Sequence, residues 1–209
     1  MAYWITESKV RAILSKLEID LSDWESAEIK SIIALQQKIF LKYVGRSIEQ
    51  TDRTDRVDGS GLASLVAPDY PIISITKVSI VSYTAETYAE ADLLVEKATG
   101  LIWLETVRMQ DDELLWPKGT RNIEIQATYG YATIPEEILE ALPLACAAQI
   151  LVMEESRMDG SSIMPGLQSF RIGNYSETYG RGGPYRTTIE KWDALIKQVA
   201  DLHKNVRIV

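Results

Sequence analysis

The sequence predicts an α+β fold: a helical bundle with an inserted antiparallel β lobe. Apolar residues recur at helical spacing near both ends of the chain. Between them lies a stretch of alternating β-branched residues punctuated by Pro and Gly. A composition 46% apolar with five Trp among 209 residues is too rich for disorder. The predicted boundaries are 1–46 for the N-terminal helices, 47–132 for the β lobe and 133–209 for the C-terminal helices.

Val10, Ile13, Leu14 and Leu17 fall at i, i+3, i+4 and i+7, predicting a first helix with Thr6 as its N-cap. Ser22-Asp23-Trp24-Glu25 has the form of a capping box, predicting a second helix from there to Val44 with Gly45 as its stop. Ser47 to Ser60 is polar, and Asp52 to Gly59 reads as loop. Strands are expected at Leu62–Val66, Ile72–Tyr83 and Asn122–Tyr129. A hairpin is expected where Asp92–Glu96 and Leu101–Glu105 flank Lys97-Ala98-Thr99-Gly100. Pro135, Glu136 and Glu137 suit a helix start. The stretch Ile138 to Met153 is apolar nearly all round, which predicts a central helix partly covered by another subunit. Residues 157–185 form a long Gly/Ser-rich connection, and the last helix is expected from about Thr188 to Lys204.

Charge and rare residues exclude several functions. The formal charge is −8, with basic residues dispersed, so strong nucleic-acid binding is not expected. Eight acids against Lys97 and Arg108 give residues 85–115 a charge of −6, leaving −2 elsewhere; this part is expected to face outward. One Cys and one His cannot supply a disulfide framework within the chain or a Cys/His zinc site. No apolar run is long enough to span a bilayer, and the N-terminus lacks a signal-peptide core, so a soluble chain made inside the cell is expected.

Catalytic material is scarce. A nucleophile–base pair would have to use His203, which reads as an ordinary residue of a last helical turn. Cys146 lies among Ala and Leu, where a thiol is inert core. The acids Asp52/Asp55/Asp58, Asp111-Asp112-Glu113 and Glu154-Glu155 lack the spacing of a metal loop and read as solvated faces. Neither Gly-Ser-Gly at 59–61 nor the run 180–184 has a phosphate-loop pattern. No catalytic residue, cofactor or metal site is therefore predicted. Aromatic and Arg residues crowd the long connection; such types are enriched where proteins bind proteins, and a loop folded back on its own domain is the equal alternative. The tail Val206-Arg207-Ile208-Val209 reads as extended and apolar–basic, either frayed or adding a strand to a neighbour.

The order of these pieces resembles the phage head-tail connector (adaptor, or head-completion) family. The carrying stretches are Ile5-Thr6-Glu7 through Tyr43-Val44-Gly45-Arg46-Ser47-Ile48, and Asp55-Arg56-Val57-Asp58-Gly59-Ser60-Gly61-Leu62 with Pro71-Ile72-Ile73-Ser74-Ile75. Ile123 through Tyr129-Gly130-Tyr131 to Pro135, and Phe170-Arg171-Ile172-Gly173-Asn174-Tyr175-Ser176, continue the match. The acidic 85–120 insertion and Pro143 depart from the family pattern.

The resemblance implies a structural, non-enzymatic virion neck protein, assembled in the host cytoplasm. It implies a homo-oligomeric ring of about twelve subunits under the portal vertex. The ring would extend a DNA channel without specific DNA binding and present a dock for a tail or stopper protein. Candidate interface residues are Phe170, Arg171, Tyr175, Tyr179, Arg181, Trp192, Arg207, Ile208 and Val209. The alternatives are another tail-completion or baseplate component, an acidic hydrolase using Asp111/Asp112 or Glu154/Glu155, and a DNA-binding packaging component.

Overall fold

The computed structural model describes residues 3–81, 86–105, 115–158, 170–172, 175–177 and 185–204. The fold is mixed α+β, and the chain divides into two compact units, Met1–Gly45 with Pro135–Val209, and Arg46–Ile134.

In the first unit, α1 (Glu7–Ser15), α2 (Ser26–Val44) and α4 (Arg186–Leu202) each pack against α3 (Glu136–Met158). Thr6 is the N-cap of α1, although its hydroxyl meets Ser8 and not the helix backbone. The second helix starts three residues later than its S-x-x-E signature predicts. The Asp20 carboxylate accepts the Ser22 N–H at 2.9 Å, and Leu21 and Trp24 are buried, which keeps the chain bent. Glu25 becomes the N-cap, and the Glu28 carboxylate accepts its N–H at 3.1 Å. Gly45 ends α2 at φ +69, a conformation that favours glycine.

The all-round apolar α3 does not need a second subunit to cover it. Ile138, Ala141, Leu142, Cys146, Ala147, Ile150 and Leu151 are buried within this chain alone. Three helices of the same chain supply the cover. Pro143 lies inside α3 without ending it.

In the second unit, β1 (Thr51–Gly59), β3 (Ile72–Ile80), β4 (Thr87–Tyr88) and β7 (Gly119–Tyr129) form an antiparallel sheet in the order β1-β7-β3-β4. A second antiparallel sheet has the order β2-β6-β5, from β2 (Ser64–Val66), β5 (Leu93–Glu96) and β6 (Leu101–Leu104). Both contribute to one core, in which Leu65, Val78, Ile102, Trp116, Ile123, Ile125 and Tyr129 are almost fully buried. The Trp116 indole N–H donates to Ile102 O at 3.2 Å and its ring meets Tyr88 edge-on. The acidic stretch is thus part of a shared core, since Leu93 and Ile102 belong to it.

Residues 52–59, expected as loop, are strand β1. The inward face of this edge strand is held by ion pairs as well as by Val57, so the usual apolar alternation is missing. In the long connection, β8 (Phe170–Ile172) and β9 (Tyr175–Glu177) form a small hairpin.

Candidate interaction surfaces and polar clusters

Arg53 on β1 makes a two-pronged bond to Asp55 (3.1 and 3.0 Å) and reaches Asp69 at 3.1 Å. Asp69 is only 3% exposed, and it also accepts the N–H groups of Ser47 (3.0 Å) and Tyr70 (2.8 Å). The hydrogen bond to Asp55, with the charges of Asp55 and Asp69, raises the proton affinity of Arg53 against the cost of its burial. The guanidinium lies 5.4 Å from the Tyr129 ring centroid. Burial and then the Asp55 charge push the Tyr129 hydroxyl well above the ordinary tyrosine value.

Arg46 forms a second cluster. Its guanidinium is 4.7 Å from the Tyr70 ring centroid and 5.7 Å from that of Tyr131, and it donates to the Tyr131 hydroxyl at 3.0 Å. Beside it, Gly130 (φ +96) donates its N–H to Pro71 O at 2.9 Å. A Cβ on Gly130 would sit 2.3 Å from Glu49 O, so the close approach itself requires glycine. Three stretches distant in sequence therefore meet at Arg46 and Gly130.

The remaining candidates for chemistry are held in structural contacts. His203 is buried with Nε2 3.2 Å from Glu137, joining the end of α4 to the start of α3. Cys146 is buried, and desolvation pushes its thiol up to about 12. Asp52 and Asp58 lie on the outer face of β1 and Asp55 on the inner face, so they diverge. Asp52 accepts the Thr128 hydroxyl at 2.6 Å, and Asp58 accepts the Arg121 N–H at 2.6 Å. Glu154 accepts the Trp24 indole N–H. Asp111, Asp112 and Glu113 lie outside the described residues. Among the described residues no three His, Cys, Asp or Glu side chains could hold a metal ion. A shallow depression of about 260 Å³ on the outer sheet face is lined by Asp52, Thr54, Thr76, Gln126 and Thr128.

Of the predicted interface residues, Phe170, Arg171 and Tyr175 lie on the β8–β9 hairpin, where Phe170 pairs with Glu177, Arg171 with Ser176 and Tyr175 with Ile172. Trp192 is half-buried on α4. Tyr179, Arg181, Arg207, Ile208 and Val209 lie outside the described residues. The Arg53–Asp55–Asp69 cluster escaped the sequence reading, because Asp69 gives no local sign that it faces β1.

Two surfaces elsewhere carry exposed apolar side chains. On β2-β6-β5, Ser64, Trp103 and Leu94 form one cross-strand row and Val66, Leu101 and Glu96 the next. Leu94 is 62% and Val66 61% exposed, and Trp103 is half-buried. On α2, Ser31, Leu35, Lys38 and Lys42 fall at i, i+4, i+7 and i+11 and all are exposed. Leu35 is 51% exposed.

Among the described residues these features define an α+β protein whose polar clusters tie its elements together. No protein-family model and no curated protein matches the chain. Solved structures do. A chain in "Neck of empty GTA particle computed with C6 symmetry" is 14% identical over 88% of this chain and 81% of that one, at a TM-score of 0.48. One in "Virion of native gene transfer agent (GTA) particle" is 14% identical over 88% and 80%, at 0.47. One in "Neck of native GTA particle computed with C12 symmetry" is 14% identical over 90% and 87%, at 0.48.

Proposed function

We propose that this chain is a structural subunit of a phage-like virion neck, forming a homo-oligomeric ring between the portal vertex and the tail. The reading is non-enzymatic and needs no cofactor. One observation carries it: three of the stretches through which the sequence resembles head-tail connectors meet at one place in the fold. The Gly45-Arg46 turn, Pro71 and Tyr129-Gly130-Tyr131 converge on the Arg46 stack and the Gly130 close approach. That convergence gives a physical reason for these three stretches to occur together.

In the proposed assembly, the hairpin carrying Phe170, Arg171 and Tyr175, together with Trp192 and the Arg207–Val209 tail, contacts the portal or a neighbouring subunit. The chain alone is a monomer or weak oligomer, and DNA passes without specific contacts. Electron microscopy of the protein mixed with a portal ring tests this: a continuous collar on the portal is expected. Portal particles without added density at saturating protein would refute it. A collar on a baseplate or tail component instead would move the protein to another part of the same particle.

A further inference from the structure

Two exposed surfaces of this chain match one another in charge and apolar content. The first is the outer face of β2-β6-β5. Its centre is apolar, from Val66, Leu94, Leu101 and Trp103. Carboxylates flank that centre along the strands. Residues two apart share a face, so Glu96 stands on one side of Leu94, and Glu105, two beyond Trp103, on the other. Glu105 is exposed, and its N–H donates to Asp92 O at 3.0 Å, which places the two side by side.

The second surface is the solvent stripe of α2. Leu35 protrudes beside Lys38 and Lys42, all exposed, while Ile29, Ile32, Ile33, Phe40 and Val44 occupy the buried side. Among the described residues no carboxylate forms an ion pair with Lys38 or Lys42. A helix laid on the sheet could seat Leu35 against Leu94 and Trp103 with Lys38 and Lys42 turned toward a flanking acid. Interface centres are apolar and aromatic and their rims are charged, which is the distribution these two faces have together.

We infer that the α2 stripe of one copy docks on the outer β2-β6-β5 face of the next copy. The two patches differ, so the contact is head-to-tail, and a repeated head-to-tail contact yields either a closed ring or an open chain. This rests on the ring reading above and names the surfaces that would build the ring.

Cysteine cross-linking tests it, because the one native cysteine is buried. Leu35→Cys and Leu94→Cys are exposed positions, and a short bis-maleimide can bridge them. The double variant should give a ladder of dimers, trimers and higher multimers. An equal mixture of the two single variants should stop at the dimer, and neither single variant alone should cross-link. Lys38→Glu with Lys42→Glu in the double variant should cut the ladder about tenfold, from the loss of two ion pairs and the repulsion that replaces them. Adding Glu96→Lys and Glu105→Lys should restore it.

A ladder indifferent to charge reversal overturns the inference, and so does a dimer formed by Leu94→Cys alone, which would mean a two-fold sheet-to-sheet contact. Collars on the portal made by a double variant that yields no ladder overturn this interface while leaving the ring reading intact. Failure of the wild-type chain to form collars at all overturns both. Protection of Leu94→Cys by portal alone, with no ladder, assigns the face to the portal.

Discussion

Replacing Asp69 by alanine should destabilise the β unit by about 3 kcal/mol, and the size follows from what the carboxylate holds. Its side chain is 3% exposed and accepts three donors: Ser47 N–H, Tyr70 N–H and the Arg53 guanidinium. Each amide left without its acceptor costs about 1 kcal/mol net. The Arg53 contribution is discounted to a similar size, because the guanidinium is 36% exposed and keeps Asp55. Urea unfolding followed by tryptophan fluorescence measures this, since Trp116 is fully buried in the same core. Arg53→Met supplies the comparison. It leaves Asp69 its two amide donors and keeps an aliphatic stem over Tyr129, so it should cost about 1 kcal/mol. Asp52→Ala, on the exposed face, should stay within about 0.5 kcal/mol. An Asp69→Ala loss below about 1 kcal/mol, or one no greater than that of Arg53→Met, would refute the assignment of Asp69 as the anchor.

Three further outcomes are expected. Gly130→Ala combines a φ of +96 with a Cβ placed 2.3 Å from Glu49 O, and should cost about 2–4 kcal/mol in the same assay; an unchanged midpoint would refute the close approach. The Cys146 thiol, pushed up to about 12 by burial, should react with a disulfide reagent at pH 8 at least about a hundredfold more slowly than in the urea-unfolded chain. Glu90 is held below its ordinary carboxylate value by hydrogen bonds from Lys97 and then from Ile75 N–H. A depressed folded value means the contribution is present above the unfolded value and is lost as pH falls through the folded one. Glu90→Gln should therefore flatten the acid limb of the stability profile, and an unaltered acid limb would count against the bond.

The helices near both ends and the hairpin around Gly100 could be read directly, because each is specified locally. Val10 and Leu14 share a helical face, Gly45 stops α2 at positive φ, and Gly100 turns the chain at φ +76 between β5 and β6. Strand β1 could not be read, because its period-two pattern is written in Asp, Arg and Thr. What stabilises its inward face is Asp69, and only the folded chain brings that residue to Arg53. Ser22 misled for a related reason. A capping signature describes what a helix start can use, but burial of Leu21 and Trp24 decided where the chain could begin to coil. The apolar periphery of α3 announced that cover was needed, yet pattern alone could not tell a neighbouring subunit from α1, α2 and α4 of the same chain.

That last distinction changes what an assembly of this protein must be built from. With α3 covered internally, any self-association has to use surfaces that are exposed in the single chain, and the pairing inferred above is that of the α2 lysines with the flanked Leu94–Trp103 face. The net acidity then has two opposed meanings. If the acids of the β lobe merely line a channel, they repel one another across it, and added salt should strengthen the ring by screening that repulsion. If Glu96 and Glu105 meet lysines of the next copy, added salt should weaken it. Sedimentation of assembled collars across a salt series therefore separates the two by the sign of the effect, without any substitution in the chain.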